Sequence, residues 1–225
     1  MSMPEDFVEL RNEEIERIIK DYPFACMVAN TPEGLVANHI PLIFKGGKWL
    51  IGHLAKTNPL PQLVERDQEV LCIFTGEEAY ISAKDFPKKQ EKDEHVPTWN
   101  YEVVHVYGKI RFYRDYDSRM AAVGFLTKQV ERQVNPERPW KMAYAPQDYI
   151  MEQLEHVIAF DVTITRVHAK FKLNQRDSIA DVEGIIQSLK ARGEKGMAAA
   201  MQKRLDARLA QIETETDKIP NPDKA

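Results

Sequence analysis

The segment VIAFDVTITRVHAKFKL, residues 157–173, decides the fold because it is the longest strand-like run in the chain. Its apolar residues stand at even positions first and at odd positions later: Ile158, Phe160, Val162 and Ile164, then Val167, Ala169, Phe171 and Leu173. Since neighbouring residues of a strand point to opposite faces, a regular strand cannot bury both sets on one face. Two explanations are open. A β-bulge near Thr165 and Arg166 would restore the register, or the strand passes from one core to another.

Shorter apolar runs bounded by turn residues predict six further strands, over 24–30, 35–44, 48–54, 70–75, 79–83 and 98–113. The run over 35–44 is apolar on both alternating faces, which predicts that both of its sides are covered. Gly76 is predicted to separate the fourth strand from the fifth. In the run over 98–113, one face is predicted to be buried: Val104, Val106, Ile110 and Phe112.

Helical patterns are predicted over 12–22, 59–66, 117–130 and 147–156, with Asn58 capping the second of these helices. The C-terminal third is also predicted to be helical, from two apolar stripes: Ile179, Val182, Ile186 and Leu189, then Met197, Met201, Leu205 and Leu209. Because strands and helices do not alternate regularly, we expect an α+β barrel with helices at its ends.

Composition excludes several classes of protein. Thirty-one Lys and Arg against 35 Asp and Glu give a formal charge of −4, so binding to nucleic acid would need a local basic patch. Cys26 and Cys72 form no CxxC pair and are expected to be free thiols. No signal peptide and no membrane span are expected, which predicts a cytoplasmic protein. The chain has ten glycines and no glycine-rich phosphate motif, so we expect no glycine-cradled phosphate site. No two histidines stand at metal-ligand spacing, so we expect no metal site.

Three polar segments interrupt the predicted strands and are the candidate sites. Asn38-His39-Ile40-Pro41 is typical of an edge strand or of a strand that lines a site. In 52–59, His53, Lys56 and Asn58 precede a predicted helix, an arrangement suited to a phosphate; an ordinary capped turn is the alternative.

In the third polar segment, 96–101, Trp99 and Tyr101 flank Asn100 at the start of a long strand. An aromatic ring beside an amide could hold a planar heterocycle, and core packing is the alternative. Near the end of the 157–173 strand, Lys170 and Lys172 share a face, which most often indicates a solvated strand end.

The ordered blocks PFACMVAN, ANHIPL, GHLAKTNP, FTGEEAYIS, VPTWNYEVVHVYGKI, RPW and KFKLNQ resemble the PaiB family of FMN-binding negative transcriptional regulators. The resemblance implies an FMN-binding split β-barrel with flanking helices over residues 1–175, and a helical C-terminal extension over 176–225. It also implies a homodimer with FMN at the interface. The named role of the family is repression of genes for sporulation and secreted degradative enzymes in bacilli.

By the same resemblance, His53, Lys56 and Asn58 would face the FMN phosphate, and Asn38 and His39 would lie beside the isoalloxazine. Trp99 and Asn100 would come from the partner subunit. The matching blocks add four further candidates for cofactor binding: Tyr80, Ser82, Lys172 and Gln175. The chain departs from the family pattern at Ala83, where the family has proline, and at 174–176, where NQR replaces SQN.

Three functions follow as alternatives. The first is a negative regulator that meets DNA or a regulatory protein, with 202–204 and Arg208 as the best basic segment for DNA and a solvated helix face as the alternative. The second is an FMN-dependent oxidoreductase with a nicotinamide donor, in which His39 and His105 are the first acid–base candidates. The third is haem binding through His53 or His168. The loop over 84–94 is expected to lie beside the pocket.

Overall fold

A computed structural model describes residues 1–87 and 95–216 of the chain. The strands are β1 Phe24–Thr31, β2 Gly34–Pro41, β3 Ile43–Lys45, β4 Trp49–Ala55, β5 Glu69–Ile81, β6 Thr98–Tyr113 and β7 Val157–Lys172. The helices are α1 Asn12–Asp21, α2 Leu60–Leu63, α3 Tyr116–Val134, α4 Gln147–Leu154, α5 Ile179–Arg192 and α6 Lys195–Thr216. Most of the loop predicted over 84–94 and the end of the predicted C-terminal extension lie outside the described residues.

The seven strands form one antiparallel sheet in the order β2-β1-β5-β6-β7-β4-β3. Strand β1 pairs with β2 along its whole length, from Phe24 opposite Pro41 to Thr31 opposite Gly34. Strand β4 pairs with β7 from Trp49 opposite Thr163 to Ala55 opposite Val157. This topology places β2 and β3 at the two ends of the strand order.

The chain divides into two compact units. The larger unit comprises Leu10–Thr75 and Val103–Ala169, and the smaller unit comprises Met1–Glu9, Gly76–Glu102 and the residues from Lys170 onward. Strands β5, β6 and β7 each contribute residues to both units. The predicted domain boundary after residue 175 stays a prediction.

The core of the larger unit follows the alternation of its strands. Strand β1 buries every second residue, and α1 adds two isoleucines of its apolar face. Of the four residues of β6 predicted to be buried, Val104, Val106 and Ile110 are buried and Phe112 is partly exposed. The fully buried side chains include Ile18, Leu50, Val104, Val106, Ile110 and Val162. Cys26 and Cys72 are free thiols, and burial raises the pKa of Cys72 to about 12.

The core of the smaller unit contains the two predicted helical stripes. Six of their eight residues are buried: Val182, Ile186, Leu189, Met197, Met201 and Leu205. Ser178 caps α5 by accepting a hydrogen bond from the backbone of Asp181. Gly193, with φ +88°, ends α5 in the left-handed conformation that glycine adopts without strain. Both helices of the C-terminal third are therefore confirmed.

Two long strands change the parity of their buried residues. Strand β7 buries Ile158, Phe160 and Val162, and later Ala169 and Phe171. Strand β5 shows the same change, from even positions at 70, 72 and 74 to odd positions at 79 and 81. Both strands leave the larger unit for the smaller one, after residues 75 and 169. The change in β5 coincides with this boundary, whereas the change in β7 comes before or at Ala169, inside the larger unit, so the choice between the two explanations for β7 stays a prediction.

Three predictions about the strands were wrong. The two strands predicted over 70–75 and 79–83 form one strand, β5, which ends at Ile81, and Gly76 lies inside it where its buried face changes. The predicted strand over 35–44 is broken at Leu42. The residue before it, Pro41, has no N–H to donate to a neighbouring strand, and the N–H of Leu42 donates to the carbonyl of Pro23. Strand β2 is not covered on both faces, since Leu35 is 77% exposed at the end of the strand order.

The helix predicted over 59–66 is also much shorter than expected. It spans only Leu60–Leu63, with Pro59 as its N-cap residue, and Val64 already has extended backbone angles. A turn closed by the bond from Gln68 N to Glu65 O follows, and Asp67 has φ +64°. This turn ends the helix after one turn.

Gly108 on β6 provides a test of the packing in the larger unit. A Cβ atom at Gly108 would lie 2.5 Å from the carbonyl oxygen of Thr163 and 2.6 Å from Cγ1 of Val162. Since backbone cannot move aside as a flexible side chain does, Gly108→Ala should lower the free energy of unfolding by about 1–3 kcal/mol. Urea denaturation followed by circular dichroism measures the change.

The matched control is Gly124→Ala in α3, where the added Cβ would meet only Met142 Sδ at 3.6 Å. Alanine has the higher helix propensity, so this variant should be up to about 1 kcal/mol more stable than the wild type. Equal effects of the two substitutions would contradict the close approach of β6 and β7 at Gly108.

Candidate functional site

Five of the candidate residues lie in the larger unit, on β2, on β4 and in the turn after β4. We call them the β2–β4 group: Asn38, His39, His53, Lys56 and Asn58. Asn58 Nδ2 donates a 2.7 Å hydrogen bond to Asn38 Oδ1, and Asn58 Oδ1 accepts one of 2.9 Å from the backbone of Leu60. The backbone N–H of Lys56 donates to the carbonyl of His156 at 2.8 Å. The turn after β4 is thus tied to β2 and to the chain segment that precedes β7.

Lys56 provides the positive charge of this group. Its side chain is exposed, and its ammonium forms no ion pair with a carboxylate in the part of the chain that the structure describes. Because α2 has only four residues, its N-terminus contributes little of the dipole that the predicted longer helix would offer. The residue at the N-cap position is Pro59 rather than the predicted Asn58, although Asn58 Oδ1 accepts a hydrogen bond from Leu60 N. Any anion held here would therefore depend on Lys56.

His53 and His39 differ in their surroundings. His53 is half-buried on β4, and its Nδ1 atom is buried with no hydrogen-bond partner among the described residues. Burial lowers the pKa of His53 below its ordinary value of 6.5, so the imidazole is neutral at pH 7. His39 is exposed on β2, and its ring stacks on that of Phe24 with 6.1 Å between centroids. His53 can thus offer a hydrogen bond rather than a charge.

Two more histidines of the larger unit were candidates for acid–base chemistry or haem binding. His105 is half-buried on β6, its Nδ1 has no partner among residues 1–87 and 95–216, and burial lowers its pKa. The ring of His168 on β7 meets that of Tyr107 edge to face at 5.5 Å, and Arg166 lies 4.0 Å above the same tyrosine ring. No group of three or more His, Cys, Asp or Glu side chains that could hold a metal ion occurs in the described residues.

The other six candidates lie in the smaller unit. Trp99 and Tyr80 form an exposed aromatic pair, edge to face with 6.0 Å between centroids, and each is about half exposed. The ammonium of Lys172 donates to Thr98 Oγ1 and, at 3.1 Å, to the carbonyl of Trp99. Lys172 therefore fixes the start of β6, and the ring of Trp99 remains accessible.

Asn100 and Gln175 are engaged inside the smaller unit. Asn100 is fully buried, and its Nδ2 donates to Asn174 Oδ1 at 2.6 Å. Its Oδ1 has no partner within the described residues. Gln175 Oε1 accepts from the backbone of Leu173 at 2.7 Å, and its Nε2 donates to the carbonyls of Phe171 and Asp6. Both amides hold the turn after β7, and the resemblance to a known motif did not reveal this role.

Ser82 belongs to a buried ionic cluster that the sequence analysis missed. Ser82 and Asp85 form a capping box, since Ser82 Oγ accepts from Lys84 N and Asp85 Oδ2 accepts from Ser82 N. Asp85 also accepts from Ser188 Oγ at 2.6 Å and from Arg192 at 2.8 Å. The Ser-x-x-Asp spacing was the available signal for the cap, but nothing in the sequence points to the partners on α5.

The structure therefore brings the candidates together in two sets, five residues in the larger unit and six in the smaller. The role of each residue in cofactor binding stays a prediction. Within the described residues, no helix is both long and apolar enough to cross a membrane.

Comparisons with known proteins place these residues in context. Residues 1–166 match the model of a family described as a putative FMN-binding domain. The chain is 28% identical over 211 residues to "Protease synthase and sporulation protein PAI 2" of Bacillus subtilis (strain 168), with 91% of this chain and 98% of that protein covered.

Two solved structures have a similar fold, each with a TM-score of 0.54. One is the FAD and heme binding protein from Mycobacterium smegmatis, at 16% identity and with 78% of each chain covered. The other is a putative 5-nitroimidazole antibiotic resistance protein from Bacteroides thetaiotaomicron, at 13% identity and with 72% of this chain and 85% of that chain covered. The predicted α+β split β-barrel with flanking helices is confirmed.

The protonation of His53 generates a prediction about pH. An imidazole in the unfolded chain titrates near 6.5, whereas burial holds the pKa of His53 lower in the folded protein. Below about pH 6.5 the unfolded chain then binds more protons, so the stability contributed by neutral His53 is complete above that pH and declines as the pH falls. Two-dimensional NMR of the imidazole should give a pKa below 6.5 for His53.

The variant His53→Gln separates this effect from that of His105, whose pKa is shifted in the same direction. Its free energy of unfolding should depend less steeply on pH between 7.5 and 5.5 than that of the wild type. A His53 resonance that titrates at or above 6.5 would contradict the buried, neutral imidazole.

Proposed function

Because the chain belongs to the FMN-binding domain family, we propose that it binds FMN and acts as a negative transcriptional regulator of the PaiB type. The observation that carries the flavin part is Lys56, an exposed ammonium without an ion pair in the described chain, next to an amide pair that ties the turn after β4 to β2. Bound FMN would supply redox chemistry, and its oxidation state is a natural input for a regulator.

The phosphate of FMN fits Lys56 best. An ammonium that already has a carboxylate partner gains little from a phosphate, whereas an unpaired ammonium gains a charge-assisted hydrogen bond. Asn58 is held by Asn38 and by Leu60 N, so the turn that carries Lys56 is ordered without a ligand. Neutral His53 can add a hydrogen bond, and its unpartnered Nδ1 fits a polar ligand group.

The ring system of FMN would lie beside Asn38 and His39. Asn38 uses its Oδ1 for Asn58, and its NH₂ group, which has no hydrogen-bond partner among the described residues, can donate to a ring carbonyl. The exposed ring of Trp99 from a second copy of the chain is a suitable surface for stacking. Asn100 is the weaker of the two residues assigned to the partner, because it is fully buried and bonded to Asn174.

A homodimer is supported by the exposed apolar side chains of the β1–β2 hairpin. Leu35 is 77% exposed and Phe24 is 65% exposed, and β2 is the end strand of the sheet order. An end strand with apolar side chains is a surface that a second chain commonly covers.

A regulatory protein is a more suitable partner than DNA for α6. Of the basic segment that the sequence singled out, Arg204 faces the carboxylate of Glu9 at 3.9 Å. Arg208 donates to the carbonyls of Asp177 at 2.8 Å and Gln175 at 3.4 Å. Because these arginines have partners inside the smaller unit, they are poorly placed to meet phosphates of DNA. We propose that regulation proceeds through a partner protein.

The flavin proposal predicts a specific effect of Lys56→Gln. Loss of a charge-assisted bond to the phosphate should weaken FMN binding by about 1.5–3 kcal/mol. Riboflavin lacks the phosphate, so its affinity should be the same in the variant and the wild type. Quenching of flavin fluorescence on titration with protein measures both affinities.

The control is Lys109→Gln, which removes an exposed lysine from β6 in the same unit. It should leave both affinities unchanged. An equal loss of FMN and riboflavin affinity in Lys56→Gln would show that Lys56 does not face the phosphate, and no binding of either flavin by the wild type would remove the proposal.

The regulatory role is tested against the enzymatic alternative with the same protein. Steady oxidation of NADPH by the FMN-loaded protein would favour an oxidoreductase. Co-purification of a protein partner that dissociates on reduction of the flavin, without such turnover, is the result expected for the regulator. A promoter fragment retarded by the protein alone, in a manner that fades with added salt, would instead show direct DNA binding.

A further inference from the structure

One face of α3 borders two adjoining cavities in the larger unit. The first has a volume of about 450 Å³ and lies against the end of α1 and β3, and the second, of about 330 Å³, lies against residues 139–142. Lys128 and Arg132 line both cavities. We call the two cavities together the α3 groove. Its size is within the range of small-molecule sites.

The α3 groove concentrates positive charge that nearby carboxylates do not neutralise. Lys45 contributes to the first cavity and Lys141 to the second, beside the two residues that they share. In the part of the chain that the structure describes, none of these four cations forms an ion pair with a carboxylate, whereas Lys20, which also lines the first cavity, pairs with Glu16. Among residues 1–87 and 95–216, Asp21 is the only acidic residue that lines either cavity. This is a local excess of cations in a chain whose formal charge is −4.

Glu131, an acidic residue of α3 next to Arg132, forms its hydrogen bonds with other residues than the cations of the groove. The carboxylate of Glu131 accepts hydrogen bonds from Asn135 Nδ2 at 3.0 Å and from the backbone of Trp140 at 2.8 Å. Lys128 and Arg132 are four residues apart and so stand one above the other on the helix, where like charges repel. An anion between them would relieve this repulsion.

Aromatic surface accompanies the charge. Phe125 lines the first cavity, with the ammonium of Lys45 3.2 Å from its ring centroid. Trp140 lines the second cavity beside Met142 and is 42% exposed. The bond from Trp140 N to Glu131 holds the backbone of Trp140 beside α3. A flat ring on such a surface gains stacking and apolar burial.

We propose that the α3 groove binds a nucleotide, with its phosphates between Lys128 and Arg132 and its base against Trp140. Unpaired cations suit the phosphates, and the indole suits the base. None of these residues belongs to the β2–β4 group, so the site is separate from the proposed FMN site.

The test is isothermal titration of the FMN-loaded protein with ATP, ADP, AMP and adenosine. Affinity should rise with the number of phosphates, fall with added salt, and be weakest for adenosine. The double variant Lys128→Gln/Arg132→Gln should bind ATP at least about tenfold more weakly, since each cation contributes a charge-assisted bond. Trp140→Ala should weaken ATP several-fold and leave the affinity for tripolyphosphate unchanged.

Matched controls separate this site from general charge effects and from misfolding. Lys109→Gln/Lys190→Gln removes two exposed lysines outside the groove and should bind ATP like the wild type. Lys128→Arg/Arg132→Lys keeps both charges and should retain ATP binding, and the FMN affinity of every groove variant should equal that of the wild type.

Four results would overturn the proposal. The first is an ATP affinity that does not change in Lys128→Gln/Arg132→Gln. The second is tripolyphosphate binding as tightly as ATP, which would mean that the base is not recognised. The third is duplex DNA binding more tightly than ATP at equal phosphate concentration, which would identify the groove as a surface for a polymer. Loss of FMN affinity in the double variant would also overturn it, because the two sites would then not be separate.

Discussion

The two-residue period of a β-strand is the constraint on which the rest of this structure depends. A strand that turns its other face to a second hydrophobic core must change the parity of its buried residues, whereas β6, which contributes to both units, keeps its even positions buried from Asn100 to Ile110. Strands β5 and β7 make this change, and both continue from the larger unit into the smaller. The same strands position candidate residues, since Tyr80 lies near the end of β5 and Lys172 is the last residue of β7.

Strong periodicity made the long strands and the C-terminal helices predictable. Strands β6 and β7 and helices α5 and α6 have apolar spacings that only one kind of element can bury. The continuity of β5 through Gly76 was not predictable in this way. Glycine usually marks the end of a strand, whereas Gly76 lies where the buried face of β5 changes. The exposure of Leu35 depends on the place of β2 at the end of the sheet, and place in a sheet is a property of the topology rather than of the local sequence.

The alternation of buried and exposed residues along β6 also predicts which candidate side chains are accessible, and the resemblance to the family motifs does not. The even positions of β6 are buried from Val104 onward, and extending that rule backward puts Asn100 inside and Trp99 outside. The structure has this arrangement, with Asn100 fully buried and Trp99 half exposed. The partners of Asp85 could not be found by any local rule, because Ser188 and Arg192 lie more than a hundred residues along the chain. Long-range pairs of this kind are set by packing.

Arginine and lysine differ in their partners in this chain, and this difference explains how a chain with a net negative charge can present positive sites. Most of the ion pairs between described residues use arginine, whose planar fork matches a carboxylate, as in the pairs of Arg119 with Glu155 and of Arg192 with Asp85. Lysine takes part in few of the pairs between described residues. The pair of Lys20 with Glu16, on the surface of α1, is one of them. Lys56 and Lys128 therefore keep their charge available for a ligand. Because both are exposed to solvent, their attraction for an anion is screened by salt, and a persistent site must add neighbouring polar or aromatic contacts to the charge. The amide pair of Asn38 and Asn58 beside Lys56, and Trp140 beside Lys128, are the contacts that meet this requirement.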